Sequence, residues 1–180
     1  MTFPKPYADA VARLRVPSGF LLVAAFGWLA HPTRESLSIG LPISLLGLAI
    51  RAWAAGHLEK NQQLAEAGPY AYVRNPLYVG TLIVAVGLAV AANRWELGVL
   101  FAAVFFLVYL PVIQNEEQHL RKLFPSYDEY ATRVPALVPR LTPSARLDRR
   151  FRWSQYLKNE EFQASLGLLA GAAWLVWRAF

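Results

Sequence analysis

Residues 77–114 read LYVGTLIVAVGLAVAANRWELGVLFAAVFFLVYLPVIQ, which is two apolar runs separated by a two-residue polar turn. A helix that spans a membrane needs roughly 20 mainly apolar residues. The second run, residues 95–114, meets that length, and the first run, residues 77–92, is somewhat short of it. Asn93 and Arg94 between the runs predict a tight turn, so the two helices should form an antiparallel hairpin.

Three more apolar runs lie outside this hairpin, and the composition agrees with them. Of the 180 residues, 56% are apolar and 17% are charged, whereas a soluble domain is roughly half apolar and a quarter charged. The sequence therefore predicts an all-α polytopic integral membrane protein, a single domain with about five transmembrane helices. The predicted spans lie near residues 16–30, 39–56, 77–92, 95–114 and 162–180.

The net charge of +6 is compatible with nucleic-acid binding, but the positions of the cations favour a membrane orientation. If the N-terminus is cytoplasmic, fourteen Lys and Arg residues fall on that side, three fall on the other, and Arg51 lies inside a span. This asymmetry follows the positive-inside rule and predicts a C-terminus on the opposite side. We therefore expect membrane lipids around the protein and no nucleic-acid partner. The fourteen cations are Lys5, Arg13, Arg15, Lys60, Arg74, Arg121, Lys122, Arg133, Arg140, Arg146, Arg149, Arg150, Arg152 and Lys158.

Two long polar segments lie on the predicted cytoplasmic side, where long connections tend to carry function. The first segment, residues 57–80, contains Tyr70, Arg74 and Tyr78 close together. Asn75 can cap the helix that follows, and Pro76 suits its first turn. A helix N-terminus beside an arginine also attracts anions such as a carboxylate.

The second polar segment begins with two adjacent carboxylates, Glu116 and Glu117, directly after the fourth span. The spacing places Glu116 and Leu120 on one helical face, and Glu117 can pair with Arg121 four residues on. From spacing alone, a solvated surface helix and a site for a cationic or hydroxylated ligand both remain open.

Together the two segments resemble the paired motifs of the isoprenylcysteine carboxyl methyltransferase and phospholipid methyltransferase family of integral membrane enzymes. Residues 68–80, GPYAYVRNPLYVG, are similar to the family signature GxYxxxRHPxYxG. Residues 116–124, followed by two tyrosines and Val134-Pro135, are similar to the partner motif. The resemblance covers roughly residues 51–139, about half of the chain, with the two motifs separated by one helical hairpin.

The resemblance implies S-adenosyl-L-methionine as methyl donor, held at the cytoplasmic face, and a lipophilic acceptor that enters from the bilayer. It implies that Glu116 binds the ribose or the cationic groups of the cofactor and that Arg74 faces the cofactor carboxylate. The candidate catalytic residues are Arg51, Arg74 and Glu116. The implied cofactor-binding residues are Gln62, Gln63, Leu64, Ala65, Tyr70, Arg74, Asn75, Pro76, Leu77, Tyr78, Glu116 and Glu117.

Three positions depart from the family pattern. Asn75 replaces the motif histidine, and an amide cannot titrate near neutral pH. Val112 stands where eukaryotic carboxyl methyltransferases carry a substrate-side arginine, and Pro125 stands where glycine is usual, with one residue fewer before the first tyrosine. The acceptor therefore stays open among a prenylcysteine-like carboxylate, a lipid amine and a small apolar molecule.

Arg51 lies inside a predicted span, where an arginine costs roughly 2.5–3.5 kcal/mol to insert and is a functional candidate by default. Its charge can also reach the nearby interface along the side chain. The sharper hypothesis is that Arg51 replaces the missing arginine by contacting an anionic acceptor or the cofactor carboxylate. His57, a lone histidine near the same helix end, favours an interfacial polar role over a ligand role.

The function that the residues favour is methyl transfer to a lipophilic acceptor, which requires mainly alignment and the exclusion of water. The alternative is a membrane reductase of the sterol-reductase type that uses NADPH, and a non-catalytic relative is a third option. With no cysteine in the chain, a thiolate metal site is excluded, and we expect no metal. Gly167 and Gly171 form a GxxxG motif that favours close helix packing and permits a homodimer.

Overall fold

The chain folds into eight α-helices among the residues that the computed structural model describes, which are 3–144 and 149–180. The described residues contain no β-strand, so the predicted all-α class is confirmed. Arg146, one of the fourteen counted cations, lies outside the described residues. The helices are α1 (Lys5–Leu29), α2 (Arg34–Ala55), α3 (Pro76–Ala91), α4 (Trp95–Val104), α5 (Leu110–Leu123), α6 (Tyr127–Arg133), α7 (Trp153–Lys158) and α8 (Phe162–Ala179).

All five predicted apolar runs are helical. Two helices extend well beyond the predicted runs: α1 at its start and α5 at its end. Helix α1 begins at Lys5 instead of near residue 16, because the polar start of this helix still buries Ala8 and Val11 at a helical spacing of three. Asn93 adopts a left-handed backbone with a φ of 53°, which closes the predicted tight turn between α3 and α4.

By length and composition, two helices could cross a membrane: α2, and the continuous helix Trp95–Leu123 that contains α4 and α5. Two shorter helical stretches are also apolar: Pro17–Leu29 of α1 and the whole of α3. Of the five predicted spans, two therefore lie in helices that meet both criteria among the described residues, and the number of five stays a prediction.

A π-helical turn, Phe105–Tyr109, joins α4 to α5 inside the long helix. Pro111 follows this turn, and a proline cannot donate a hydrogen bond to the carbonyl four residues earlier, which belongs to Leu107. The Tyr7 hydroxyl of α1 donates to that carbonyl oxygen at 2.8 Å instead. The amide of Gln114 also exchanges two hydrogen bonds with the backbone of Phe3, so the start of α1 is held against α5.

Helices α2 and α3 pack so closely that glycine is required at their contact. A Cβ atom on Gly47 would lie 2.6 Å from both the carbonyl oxygen of Gly80 and the backbone nitrogen of Val84. Three residues before Gly47, the Ser44 hydroxyl donates to the carbonyl oxygen of Val84 at 3.1 Å. The backbones of the two helices are therefore in direct contact.

The GxxxG motif of α8 behaves differently. A Cβ atom on Gly167 or on Gly171 would meet no other described residue within 4 Å. The sequence favoured close helix packing through this motif. Within the described chain, that prediction is wrong. A homodimer through this face stays a prediction.

The polar segments form a cap at the C-terminal end of α2 and the N-terminal end of α3. Residues 135–144 run alongside residues 71–74, since Arg74 N donates to Pro135 O and Arg140 N donates to Tyr72 O, each at 2.9 Å. The side-chain amide of Asn159, between α7 and α8, donates to Ala55 O and Leu58 O and so satisfies the end of α2. This cap brings the two sequence motifs together.

Candidate active site

Arg74 connects the first motif to the second. Its Nε donates to Oε1 of Glu117 at 2.9 Å and its Nη2 donates to Oε2 at 3.2 Å, a two-point contact with one carboxylate. Its Nη1 donates to the carbonyl oxygens of Ala131 and Val134, both at 2.8 Å. Arg74 therefore ties the start of α3 to both α5 and α6.

Asn75 stands at the N-cap of α3, as predicted, and Pro76 opens the helix. The predicted capping hydrogen bond is wrong, since the Asn75 side chain caps no backbone N–H. Its Nδ2 donates instead to Glu117 Oε1 and to the Ala136 carbonyl oxygen, each at 3.1 Å. An amide in place of the motif histidine thus acts as a second donor to the same carboxylate.

The two adjacent glutamates of the second motif have different surroundings. Glu117 is half-buried and receives Arg74 and Asn75. The predicted pair between Glu117 and Arg121 is wrong, because Arg121 instead lies 3.3 Å from Asp128. Glu116 is exposed on the neighbouring face of α5. Of the two carboxylates, Glu116 is the more accessible to solvent.

Tyr70 is buried in the 3₁₀ turn Gly68–Ala71, with 6% of its surface exposed. Its hydroxyl has no hydrogen-bond partner among the residues that the structure describes. Burial, and then the negative charges of Glu161 and Glu116, raise the pKa of this hydroxyl, while Arg51 acts in the opposite direction. A buried hydroxyl without a partner is costly, so this atom is a natural contact for a bound polar molecule.

The other predicted cofactor residues differ in their surroundings. Leu64 packs against Tyr127 and Tyr130 of α6, and Ala65 is half-buried beside it. Gln62 is exposed, whereas Gln63 donates to Glu59 Oε1 at 2.5 Å and lines a separate cleft. Tyr78 packs with Phe105 and Ile113 of the long helix, next to Leu77 at the start of α3.

Arg51 binds a carboxylate that the sequence interpretation missed. Its Nε donates to Glu161 Oε1 at 2.6 Å and its Nη2 donates to Glu161 Oε2 at 3.0 Å. Its Nη1 donates to the Thr81 hydroxyl and to the carbonyl oxygen of Leu77. Glu161 is 6% exposed. The pair therefore joins α2, the first turn of α3 and the start of α8.

A sequence signal for Glu161 did exist. Arg51 lies near the predicted cytoplasmic end of the second span, and Glu161 directly precedes the last span on the same side. Buried charges in apolar surroundings are paired, so a search for an acidic residue at the same predicted depth would have found it.

The tyrosines of α6 make a testable pH prediction. Burial first, and then the carboxylate of Glu117 for Tyr127 and the neighbouring tyrosines for Tyr130, raise the pKa of both hydroxyls. The Tyr130 hydroxyl also donates to Tyr70 O at 2.8 Å. Because the folded pKa is above the unfolded value of about 10, these groups stabilise the fold below pH ~10, and that stabilisation is lost as the pH rises further.

We expect ultraviolet titration to detect these un-ionised tyrosines. At pH 11 the folded protein and Tyr130→Phe should show the same tyrosinate absorbance, because Tyr130 does not contribute to it there. In denaturant the variant should lose one of the eight tyrosine contributions. A smaller signal for the folded variant than for the folded wild type at pH 11 would contradict the raised pKa.

With this geometry established, comparison with known proteins gives the class. The chain matches the phospholipid methyltransferase family over residues 15–126. It belongs to that family. The family and the two long apolar helices together indicate a membrane protein.

Individual relatives carry two kinds of name. The chain is 36% identical over 108 residues to the nickel-cobalt-cadmium resistance protein NccN of Alcaligenes xylosoxydans xylosoxydans, covering 57% of this chain and 51% of that protein. It is 29% identical over 141 residues to protein-S-isoprenylcysteine O-methyltransferase of Schizosaccharomyces pombe, covering 75% and 59%. It is 30% identical over 150 residues to a probable enzyme of the latter name in Oryza sativa subsp. indica, covering 70% and 78%.

These alignments differ in how much of each relative they reach. The chain spans about half the length of the metal-resistance relative and about three fifths of the fission-yeast relative. No solved structure matches the chain significantly.

Proposed function

We propose that this protein transfers a methyl group from S-adenosyl-L-methionine to a lipophilic acceptor at the membrane. The observation that carries the proposal is the direct contact between the two sequence motifs. Arg74 and Asn75 from the first motif both bind Glu117 from the second, across the hairpin that separates them. Family membership and the names of the methyltransferase relatives support the same activity.

The residues present fit a cofactor with a ribose, an ammonium group and a sulfonium. Glu116 offers an exposed carboxylate to hydroxyl or cationic groups. The Tyr70 hydroxyl offers a buried donor and acceptor whose neighbouring charges include Glu116. We assign the cofactor to the region between Glu116, Tyr70 and the start of α3, with Leu64, Ala65 and Tyr78 as its apolar walls.

Arg74 does not fit the role of binding the cofactor carboxylate. Its four hydrogen bonds hold Glu117 and two carbonyl oxygens within the fold. Arg51 is occupied in the same way by Glu161, Thr81 and Leu77. We propose that both arginines are positioning residues, which fix the first turn of α3 where Pro76, Leu77 and Tyr78 lie.

Because both arginines already bind carboxylates of the chain, they limit which kind of methyl acceptor suits the site. S-Adenosyl-L-methionine would supply, when bound, a sulfonium methyl group that an aligned nucleophile can attack, with S-adenosylhomocysteine as the leaving group. A carboxylate acceptor would be held best by a free guanidinium fork, and Val112 stands where carboxyl methyltransferases carry one. Because Arg51 and Arg74 present their forks to Glu161 and Glu117, this site favours an acceptor that is uncharged at its reacting atom, such as a free-base amine.

We further propose five spans with the N-terminus and the site on the cytoplasmic side and the C-terminus opposite. The distribution of fourteen cations against three supports this orientation. All the residues proposed for the site then lie at one membrane face, and α1, α3 and α8 accompany the two longer helices across the bilayer.

Calorimetry on the purified protein tests the proposal. We expect S-adenosylhomocysteine to bind and NADPH not to bind. Glu116→Gln should weaken binding about tenfold or more, because a hydrogen bond to a charged group contributes roughly 1.5–3 kcal/mol. Glu129→Gln, which removes an exposed carboxylate on α6, is the matched control and should bind normally. Binding of NADPH alone would favour a reductase, and binding of neither would favour a non-catalytic protein.

A further inference from the structure

A basic cleft of about 270 Å³ lies at the C-terminal end of α2, apart from the residues proposed for the cofactor. One wall is the end of α2 and the loop after it, and the other wall is the segment that precedes α7. The residues that line it are Gly56, His57, Glu59, Gln63, Arg149, Arg150 and Arg152.

The arginine-bearing wall is fixed to α2 by contacts of its backbone. Arg152 N donates to Gly56 O at 3.0 Å, and the Nε2 atom of His57 lies 3.1 Å from the carbonyl oxygen of Arg149. The ring of Phe151 packs over Gly56, where any Cβ atom would overlap it. The backbone on which Arg149 and Arg150 stand is therefore held in place.

The cleft has an excess of positive charge. The one carboxylate among its lining residues, Glu59, forms an ion pair with Arg152. Arg149 and Arg150 are exposed, and their guanidinium groups form no ion pair or hydrogen bond within residues 3–144 and 149–180. Two unneutralised guanidinium groups at one cleft are suited to a phosphate, which they can bind with paired hydrogen bonds.

The position of the cleft favours a lipid headgroup over a soluble phosphate. Helix α2 is one of the two helices that satisfy the criteria for crossing a membrane, and the cleft begins at Gly56, directly after its last residue. A point just beyond the end of a span lies at the level of the lipid headgroups. Trp153 and Leu157 of α7 are 69% and 58% exposed beside it, and tryptophan is typical of that interface.

We propose that this cleft binds the phosphodiester headgroup of an anionic phospholipid, with Arg149 and Arg150 as its ligands. The acyl chains would lie along the exposed apolar side chains of α7. The assignment concerns a lipid bound beside the enzyme and does not depend on the methyl-transfer proposal. It uses none of the residues assigned to the cofactor under the proposed function; Gln63, which the family resemblance implied as a cofactor residue, lines the cleft instead.

Native mass spectrometry from mixed micelles tests the assignment. We expect the protein to retain phosphatidylglycerol in preference to phosphatidylcholine. Each basic residue near an anionic surface strengthens binding about fivefold, so Arg149→Gln/Arg150→Gln should lower phosphatidylglycerol retention about 25-fold. Arg13→Gln/Lys122→Gln removes the same charge from exposed positions elsewhere and should leave retention unchanged. Both double variants should keep the wild-type thermal unfolding midpoint.

Three results would overturn the assignment. Equal retention of the two lipids by the wild type would show that the cleft has no preference for an anion. Equal loss in both double variants would show that only net charge matters. Inorganic phosphate binding as tightly as phosphatidylglycerol would assign the cleft to a soluble phosphate instead of a lipid.

Discussion

Glu117→Ala should destabilise the protein by about 3 kcal/mol, and by more than Glu116→Ala, because Glu117 is the less exposed of the two adjacent carboxylates. The side chains of Glu117 and Arg74 are 16% and 14% exposed. Removing one partner of a largely buried pair leaves the other charge uncompensated, which typically costs 3–5 kcal/mol. The lower end applies here because Arg74 keeps its hydrogen bonds to Ala131 O and Val134 O.

The two variants should also differ in what they do to ligand binding. Glu117→Ala releases Arg74 and Asn75 together, so the start of α3 loses its polar contacts with α5. Glu116→Ala leaves the contacts of Glu117 in place and removes the carboxylate proposed for the cofactor. Denaturant unfolding in detergent measures the first effect, and S-adenosylhomocysteine calorimetry measures the second. Equal stability of the two variants would show that the Arg74–Glu117 pair does not hold the cap.

The helices were largely predictable from sequence because they depend on local patterns. Apolar runs of helical length and a polar turn at Asn93 and Arg94 located the hairpin to within a few residues. The π-helical turn was not predictable in this way, since a proline at position 111 alone is compatible with a kink or a break. In the structure the freed carbonyl oxygen of Leu107 accepts a hydrogen bond from the hydroxyl of Tyr7, 100 residues away in sequence, which no local pattern contains.

The membership of the cofactor site stays a prediction, but the contacts among some of its proposed members can be compared with the sequence. The resemblance named Arg74, Asn75 and Glu117 as one group, and the structure joins them. It did not indicate that the arginine would be held by a carboxylate of the chain, because motif spacing states which residues occur and not which pairs form. The expected pair of Glu117 with Arg121 was wrong for the same reason: a partner at four residues' distance competes with tertiary partners, which the sequence pattern does not contain.

Gly47→Ala should destabilise the protein by about 3 kcal/mol, although alanine is the better helix former. On propensity alone, the change would stabilise a helix interior by up to about 1 kcal/mol. Here the new Cβ atom would lie 2.6 Å from backbone atoms of Gly80 and Val84. Backbone cannot move aside like a flexible side chain, so the cost should lie at the upper end of the 1–3 kcal/mol range for overpacking, or above it.

A matched substitution in α1 isolates the packing effect. Gly19 also lies within a helix, and a Cβ atom there would meet nothing within 4 Å, so Gly19→Ala should stabilise the protein by up to about 1 kcal/mol. The same chemical change is thus expected to have opposite signs at the two positions in thermal or denaturant unfolding. Stabilisation by Gly47→Ala would mean that α2 and α3 do not touch through their backbones.

The consequences of Gly47→Ala should reach the site through Arg51, which lies one helical turn further along α2. The hydrogen bonds of Arg51 to Thr81 and Leu77 require α3 to lie against α2, and its Cγ already lies 2.6 Å from where a Cβ atom on Gly80 would be. Separating the helices would therefore pull Arg51 from the first turn of α3 while leaving its bond to Glu161. We expect S-adenosylhomocysteine affinity to fall in Gly47→Ala even where the variant remains folded, and to stay unchanged in Gly19→Ala.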